Sequence, residues 1–313
     1  MAWRGVHLSE PCRLSLERNA LKIESGESDP VAVPLEDLGW VIVDTPRATL
    51  TSRLVAACAE ADVAMLFVDG RHLPVACLMP RAGYHRQLET LRAQLRAPPG
   101  VKGRLWKIVV ERKLANQAAV LEGVGGPRAA RAAKACRAMA RRVRPGDPDN
   151  IEGLAAQSYW PCLFPGLARR DDLDGRNGFL NYGYAVVRAL IARELAALGF
   201  EPSLGIHHAN ELNPFNLADD LIEPFRPFVD RRVRASLDAR GATDDPTVEL
   251  DKIGRRALAG LPGDDVTIDG ERLSLIGAVS RAAATLRAAL RGGDPGALSL
   301  PALDEEAGSD GAG

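Results

Sequence analysis

Hydrophobic positions in the first 80 residues alternate with polar ones or run in short blocks, as strands require. Leu14-Ser-Leu16 and Leu21-Lys-Ile23 alternate across Arg18-Asn19, the pattern of a half-buried hairpin. Val31-Ala-Val33, Trp40 to Val43, Val63 to Val68 and Val75 to Leu78 predict further strands, with Gly70 and Pro74 punctuating the last hairpin. Between them Thr49 or Thr51 can cap one helix through Ala61, whose Leu50, Leu54 and Val55 share a face. No repeated βαβ unit is visible, and nothing in this region carries catalytic chemistry.

From about residue 86 the period becomes helical. Leu88, Leu91 and Leu95 open an amphipathic helix that Pro98-Pro99-Gly100 stops, and Leu105 to Leu121 form a second, broken at Gly123 to Pro127. The Ala- and Arg-rich stretch 128–144 predicts a third, ended by Pro145-Gly-Asp-Pro148. Further helices are expected at 150–160, 181–198, 216–239, 249–260 and 274–291. The fold class is therefore α+β, a small β-rich domain over 1–81, a linker at 82–87 and a larger all-α domain over 88–291. The Gly/Pro/Ala and acidic stretch 292–313 lacks apolar periodicity and is expected to be a disordered tail.

Composition changes this picture little. Apolar content of 46% and charged content of 26% are ordinary for a globular chain, and no apolar run reaches the roughly 18 residues of a membrane helix. The N-terminus lacks the basic, apolar and small-residue order of a signal peptide. The five cysteines, at 12, 58, 77, 136 and 162, form no close pair and so suggest neither a disulfide framework nor a zinc site. A reduced, cytoplasmic protein without membrane contact is expected.

Charge changes it more. The net charge of −1 conceals a stretch, 81–145, with 16 basic and three acidic residues, a local balance of +13. That is the footprint of a polyanion partner, against the simpler reading of a solvated helical face. Lys134, Arg137, Arg141 and Arg144 fall within roughly 80° of a helical wheel, and Arg128 and Arg131 extend the same segment.

No Walker-type loop, Gly-x-Ser-x-Gly elbow or His-Glu-x-x-His is present, so covalent nucleophile chemistry has no support. Candidate chemistry lies in acids and histidines of the helical region. Glu152 sits in the first turn of a helix capped by Asp149 or Asn150, where a carboxylate also simply opposes the helix dipole. His207 and His208 follow a Leu-Gly-Ile turn, and adjacent side chains diverge, so at most one enters a given site. Asp220 and Glu223 project from one helical face, as Asp219 and Glu223 nearly do, among Leu221, Ile222 and Phe225. Repelling carboxylates so placed call for a cation, either a metal or an Arg. A carboxylate–imidazole–carboxylate set suits Mg²⁺ or Mn²⁺ acting on phosphate esters.

Four segments then occur in a telling order: Glu152-Gly-Leu-Ala-Ala-Gln-Ser-Tyr159, Asn177-Gly-Phe-Leu-Asn-Tyr-Gly-Tyr184, Leu204-Gly-Ile-His-His208 and Asp220-Leu-Ile-Glu223-Pro-Phe-Arg-Pro227. Together they resemble the CRISPR-associated spacer integrases, the metal-dependent endonucleases and integrases of CRISPR adaptation. The match is strong over about 150–230, and the run from His207 to Asp220 looks most like the type II branch. The resemblance implies that Glu152, His208 and Glu223 ligate one Mg²⁺ or Mn²⁺, with His208 preferred because it stands fifteen residues before Glu223. Asp220 would support them from behind, and many relatives carry Asp where Glu223 stands. Leu180 to Tyr184 would pack beneath the site, with Asn181 and Tyr182 bonding backbone.

The implied reaction is attack by the 3′-hydroxyl of a captured spacer DNA on a phosphodiester of the CRISPR repeat, with Arg128, Arg131, Lys134, Arg137, Arg141 and Arg144 and the Arg and Lys of 102–113 holding DNA backbone. Implied partners are a second copy, through the N-terminal domain, and a small second CRISPR adaptation protein, in a heterohexamer of two integrase dimers and one partner dimer. Two other functions stay open: a general branched-DNA nuclease of repair, and a non-catalytic DNA-binding scaffold.

Overall fold

The computed structural model describes residues 4–26, 28–79, 87–169, 171 and 173–303. The first part contains β1 (Arg4–Leu8), β2 (Cys12–Glu17), β3 (Ala20–Glu24), β4 (Val31–Pro34), β5 (Leu38–Val43), β6 (Ala48–Leu50), α1 (Ser52–Glu60), β7 (Ala64–Val68) and β8 (Pro74–Cys77). One sheet has the order β1-β5-β7-β8 and the other β4-β3-β2-β6. The β2–β3 hairpin pairs Leu14 with Ile23 and Leu16 with Leu21, as their alternation predicts. Its turn puts Arg18 and Asn19 both at positive φ, the backbone of a two-residue hairpin turn. Thr51, not Thr49, caps α1 by accepting the Leu54 N–H at 3.3 Å.

Strand β5 explains how this part joins the rest. It pairs in parallel with β1 and β7 and is buried along its whole length, Leu-Gly-Trp-Val-Ile-Val, because both of its faces are covered. Val41 and Val43 face the second sheet and α1, with Leu14, Leu21, Leu54 and Cys58. Trp40 and Ile42 belong instead to the core of the helical region. The Trp40 indole donates to the Ala259 carbonyl at 3.0 Å. A Cβ at Gly5 would lie 2.0 Å from its ring and one at Gly263 2.7 Å away, so both positions must stay bare for the indole to pass. The first sheet is thus a middle layer rather than the face of a separate unit.

The helical region consists of α2 (Gln87–Arg96), α3 (Pro99–Val124), α4 (Gly126–Ala140), α5 (Ile151–Leu163), α6 (Arg176–Ala197), α7 (Asn216–Ile222), α8 (Arg226–Asp238), α9 (Lys252–Ala259) and α10 (Leu275–Gly292). Of the expected linker, 82–86 lie outside the described residues and Gln87 already belongs to α2. The single helix expected over 216–239 is interrupted by a 3₁₀ turn, Glu223–Phe225, where Pro224 and Pro227 withhold backbone donors.

Two expectations fail. The region is not all-α: β9 (Asp265–Ile268) and β10 (Glu271–Ser274) form a hairpin that buries Val266 and Ile268 and turns through Asp269-Gly270, both at positive φ. Nor is the chain a disordered tail from 292, because residues up to 303 dock. Leu298, Leu300 and Leu303 enter the core, and Asn116 on α3 donates to the Pro301 carbonyl (3.0 Å) and accepts the Leu303 N–H (3.0 Å). Residues 304–313, which hold the acidic cluster, lie outside the described residues.

Candidate active site

Glu152 emerges at the start of α5. Asn150, with φ +50°, is the cap and accepts the Gly153 N–H at 3.2 Å. Asp147 accepts the N–H groups of Ile151 (2.9 Å) and Glu152 (3.0 Å). Asp149 is turned away into a two-point pair with Arg144. The helix end is therefore capped without the Glu152 carboxylate, which is left for other work.

That carboxylate meets Lys113, a buried lysine of α3. Lys113 Nζ donates to Glu152 Oε1 and Glu223 Oε2, both at 2.5 Å, and Arg226 Nε donates to Glu223 Oε1 at 2.8 Å. Glu223 and Lys113 are nearly enclosed, with side chains 7% and 10% exposed, while Glu152 is 29% exposed. Burial alone would push the Glu223 carboxyl up, but Arg226 and Lys113 outweigh it and hold it down at about 2. Two carboxylates from different helices thus converge on a single ammonium. Lys113, expected among the cations of 102–113 that hold DNA backbone, is instead buried against these carboxylates; a lysine on the buried face of α3, beside Val109, Val110 and Leu114, is itself a signal.

His208 approaches on the loop before α7. Asp220 gathers that loop: its carboxylate accepts the N–H groups of Ile206 (2.6 Å), His207 (3.1 Å) and His208 (3.0 Å), and pairs with His208 Nδ1 at 2.7 Å. A carboxylate accepting from the ring makes Nδ1 the donor, so in the neutral ring the lone pair lies on Nε2. The Asp220 bond outweighs burial and, with the Glu223 and Asp219 charges, raises the His208 pKa. Gly205 permits the turn, since a Cβ there would lie 2.2 Å from the His208 carbonyl and 2.7 Å from the Asp220 carboxylate. Asp219, by contrast, faces Arg188 (2.5 Å) and Asn213 (2.6 Å) and stays outside the site.

Among the described residues no three acidic, histidine or cysteine side chains already stand at metal-ligand spacing. Glu152 and Glu223 are brought together around Lys113, and His208, held by Asp220, is near enough to feel the Glu223 charge.

Beneath the site lies a network that the sequence reading assigned differently. Tyr159 donates to Asp230 at 2.8 Å and Tyr184 to its other oxygen, while burial raises the Asp230 carboxyl to about 6. The Arg226 guanidinium lies 4.6 Å from the Tyr184 ring centre, which links this layer to Glu223. Asn181 and Tyr182 do not bond backbone as expected: Asn181 is exposed and faces Arg169, and the buried Tyr182 hydroxyl has no partner among the described residues. Asn177 makes the backbone bonds instead, to the carbonyls of Ala168 (2.8 Å) and Asp171 (2.9 Å).

The cationic stripe divides. Arg128, Arg131, Lys134 and Arg141 are exposed and form no ion pair among the described residues. Arg137 is bound at two points by Glu122, and Arg144 by Asp149.

Comparison with known proteins gives the family. The "CRISPR-associated endonuclease Cas1" of Neisseria meningitidis serogroup C (strain 8013) is 42% identical over 234 residues, covering 74% of this chain and 75% of that protein. In fold, the chain is similar to a casposase bound to integration product (TM-score 0.73, 20% identity, covering 93% of this chain and 91% of that one). It is also similar to a chain of a partial Cas6-RT-Cas1–Cas2 complex (TM-score 0.65, 16% identity, covering 95% and 98%). The family model described as CRISPR associated protein Cas1 matches residues 6–259, most of the chain and every element of the site, and the chain belongs to that family.

Proposed function

We propose that Glu152, His208 and Glu223 hold the divalent cation, Mg²⁺ or Mn²⁺, with which this Cas1 protein cuts and joins DNA in CRISPR adaptation. The observation that carries the reading is the convergence of Glu152 and Glu223 on one ammonium. Two carboxylates at hydrogen-bond distance from a shared cation are a hard-oxygen donor set, and the Nε2 lone pair of His208 adds a nitrogen. The residues therefore fit the metal. When bound, it would supply Lewis acidity toward a phosphodiester and lower the pKa of an attacking hydroxyl.

The remaining chemistry belongs to the chain. Asp220 holds the His208 ring in one tautomer and orientation, the usual task of a carboxylate behind a metal-binding imidazole. Arg226 keeps positive charge beside Glu223, which favours a phosphate entering and the charge developing on it, while Lys113 neutralises the two carboxylates until a metal takes its place. Arg128, Arg131, Lys134 and Arg141 present charge to DNA backbone without reading sequence. The substrates are a captured spacer, whose 3′-hydroxyl attacks, and the repeat, whose phosphodiester is exchanged. The family resemblance implies homodimers flanking a dimer of the small second adaptation protein, and the similarity to a chain of a Cas6-RT-Cas1–Cas2 complex is in keeping with such a partner.

The test is strand transfer on branched DNA with Mn²⁺. Glu152→Ala, His208→Ala and Glu223→Ala should each lose at least ~100-fold in rate while still binding DNA. If wild type binds DNA and transfers no strand, with or without the partner protein, the scaffold reading replaces this one.

A further inference from the structure

His207, the neighbour of the proposed ligand, lies flat against Trp106. The two rings are parallel, with centroids 4.1 Å apart and 0° between their planes. His208 meets both edge-on, at 5.6 Å and 85° from each. Trp106 is 1% exposed and stands on α3 seven residues before Lys113, two turns along the same face. His207 is exposed, and its ring makes no hydrogen bond among the described residues, so the indole is what holds it. The Trp106 N–H has no partner either, so the indole contributes its π face rather than a donor. Asp220 pins the loop through its backbone and one ring nitrogen of His208. Asn216 and Gln94 hold the loop on either side, through Ser203, Leu204 and Asn210, and among the described residues the side chain of His207 itself is held by the stacked pair alone.

We infer that Trp106 and His207 form an aromatic clamp that positions His208 toward the cation, so that His207 is a positioning residue rather than a bystander. The inference rests on the reading of His208 as a ligand. Loss of the stack loosens the loop at 207, and the neighbouring ligand must then be ordered more fully each time the metal binds. The clamp needs a flat apolar ring at 207 and no proton transfer, so phenylalanine should replace histidine.

Mn²⁺ titration followed by the loss of the free-ion EPR signal tests this on the full chain without any reaction. His207→Ala and Trp106→Leu should each weaken Mn²⁺ binding by about 2- to 10-fold, the range expected for an aromatic pair. His207→Phe and Trp106→Phe should stay within about 2-fold of wild type. Because His207 is exposed, the melting temperature of His207→Ala should match that of His207→Phe, separating loop positioning from global stability. Wild-type Mn²⁺ affinity in His207→Ala, with His208→Ala impaired, overturns the clamp and leaves the metal reading standing. Equal weakening by Phe and Ala at 207 also overturns it, because the imidazole itself would then be required. Unimpaired binding in His208→Ala removes the ligand reading, and the clamp with it.

Discussion

Two of the buried carboxylates in this molecule, Asp44 and Glu223, have surroundings that differ in kind. At the joint between the parallel sheet and the helices, the fully buried Asp44 accepts from His7 (2.9 Å), His72 (2.5 Å) and Arg255 (2.8 Å). Burial would raise its pKa, yet these three partners together hold it below the usual carboxylate range. They come from β1, from the turn before β8 and from α9, so one acid ties three separate parts of the chain together. At the other place two acids, Glu152 and Glu223, point at each other across one lysine. A lone carboxylate ringed by donors lowers the energy of the fold and has nothing further to exchange. Two like charges brought together raise it unless a cation sits between them, and a cation can be exchanged. The second arrangement is the one that folding alone does not ask for.

The largest effect should come from breaking the first cluster. Asp44→Ala leaves Arg255 without its acid and should cost about 3–5 kcal/mol, lowering the melting temperature by roughly 5–10 °C. Strand transfer per folded molecule should be unchanged. Loss of activity without loss of stability would put Asp44 in the functional class and break the comparison.

Lys113→Met should have a smaller effect of a different form. The metal-free protein should lose about 2 kcal/mol, because Glu152 and Glu223 then face each other without their shared cation. Mg²⁺ or Mn²⁺ should restore the melting temperature, giving a larger metal-induced rise than in wild type. Equal rises in the two proteins would mean that the ammonium does not stand in the cation's place.

The smallest effect separates occupied from available charge on the stripe. Alanine at Arg128, Arg131, Lys134 or Arg141 should each reduce the slope of log affinity for DNA against log salt by about 1. Arg137→Ala and Arg144→Ala should reduce it by less, since Glu122 and Asp149 already neutralise those cations. Equal slopes across all six variants would show that these pairs open on DNA.

Legibility followed how local each signal was. The β2–β3 hairpin, the cap of α1 and the amphipathic helices were readable, because alternation, Thr51 and helical spacing act within a few residues. The Asp269-Gly270 turn is equally local, but the helical spacing on both sides of it masks the hairpin. Docking of 292–303 could not be read, since it depends on Asn116, 187 positions before Leu303. Within the site, the order of Glu152, His208, Asp220 and Glu223 was visible as motif spacing, whereas Lys113 was hidden as one more cation of the +13 stretch.

By itself, the sequence determined the period of each segment, the family, and which acids and histidines could carry chemistry. Those properties reside in neighbouring residues or in a linear order of motifs. Tertiary structure decided what each charge faces. It turned Asp219 to Arg188 and Asp220 to the backbone of the histidine loop. It closed Arg137 and Arg144 into pairs and set Glu152 and Glu223 around Lys113. The physical reason is that Coulomb and hydrogen-bond energies depend on distances through space, and those distances are set by packing among α3, α5 and α7. Nothing in the spacing of residues along the chain specifies them.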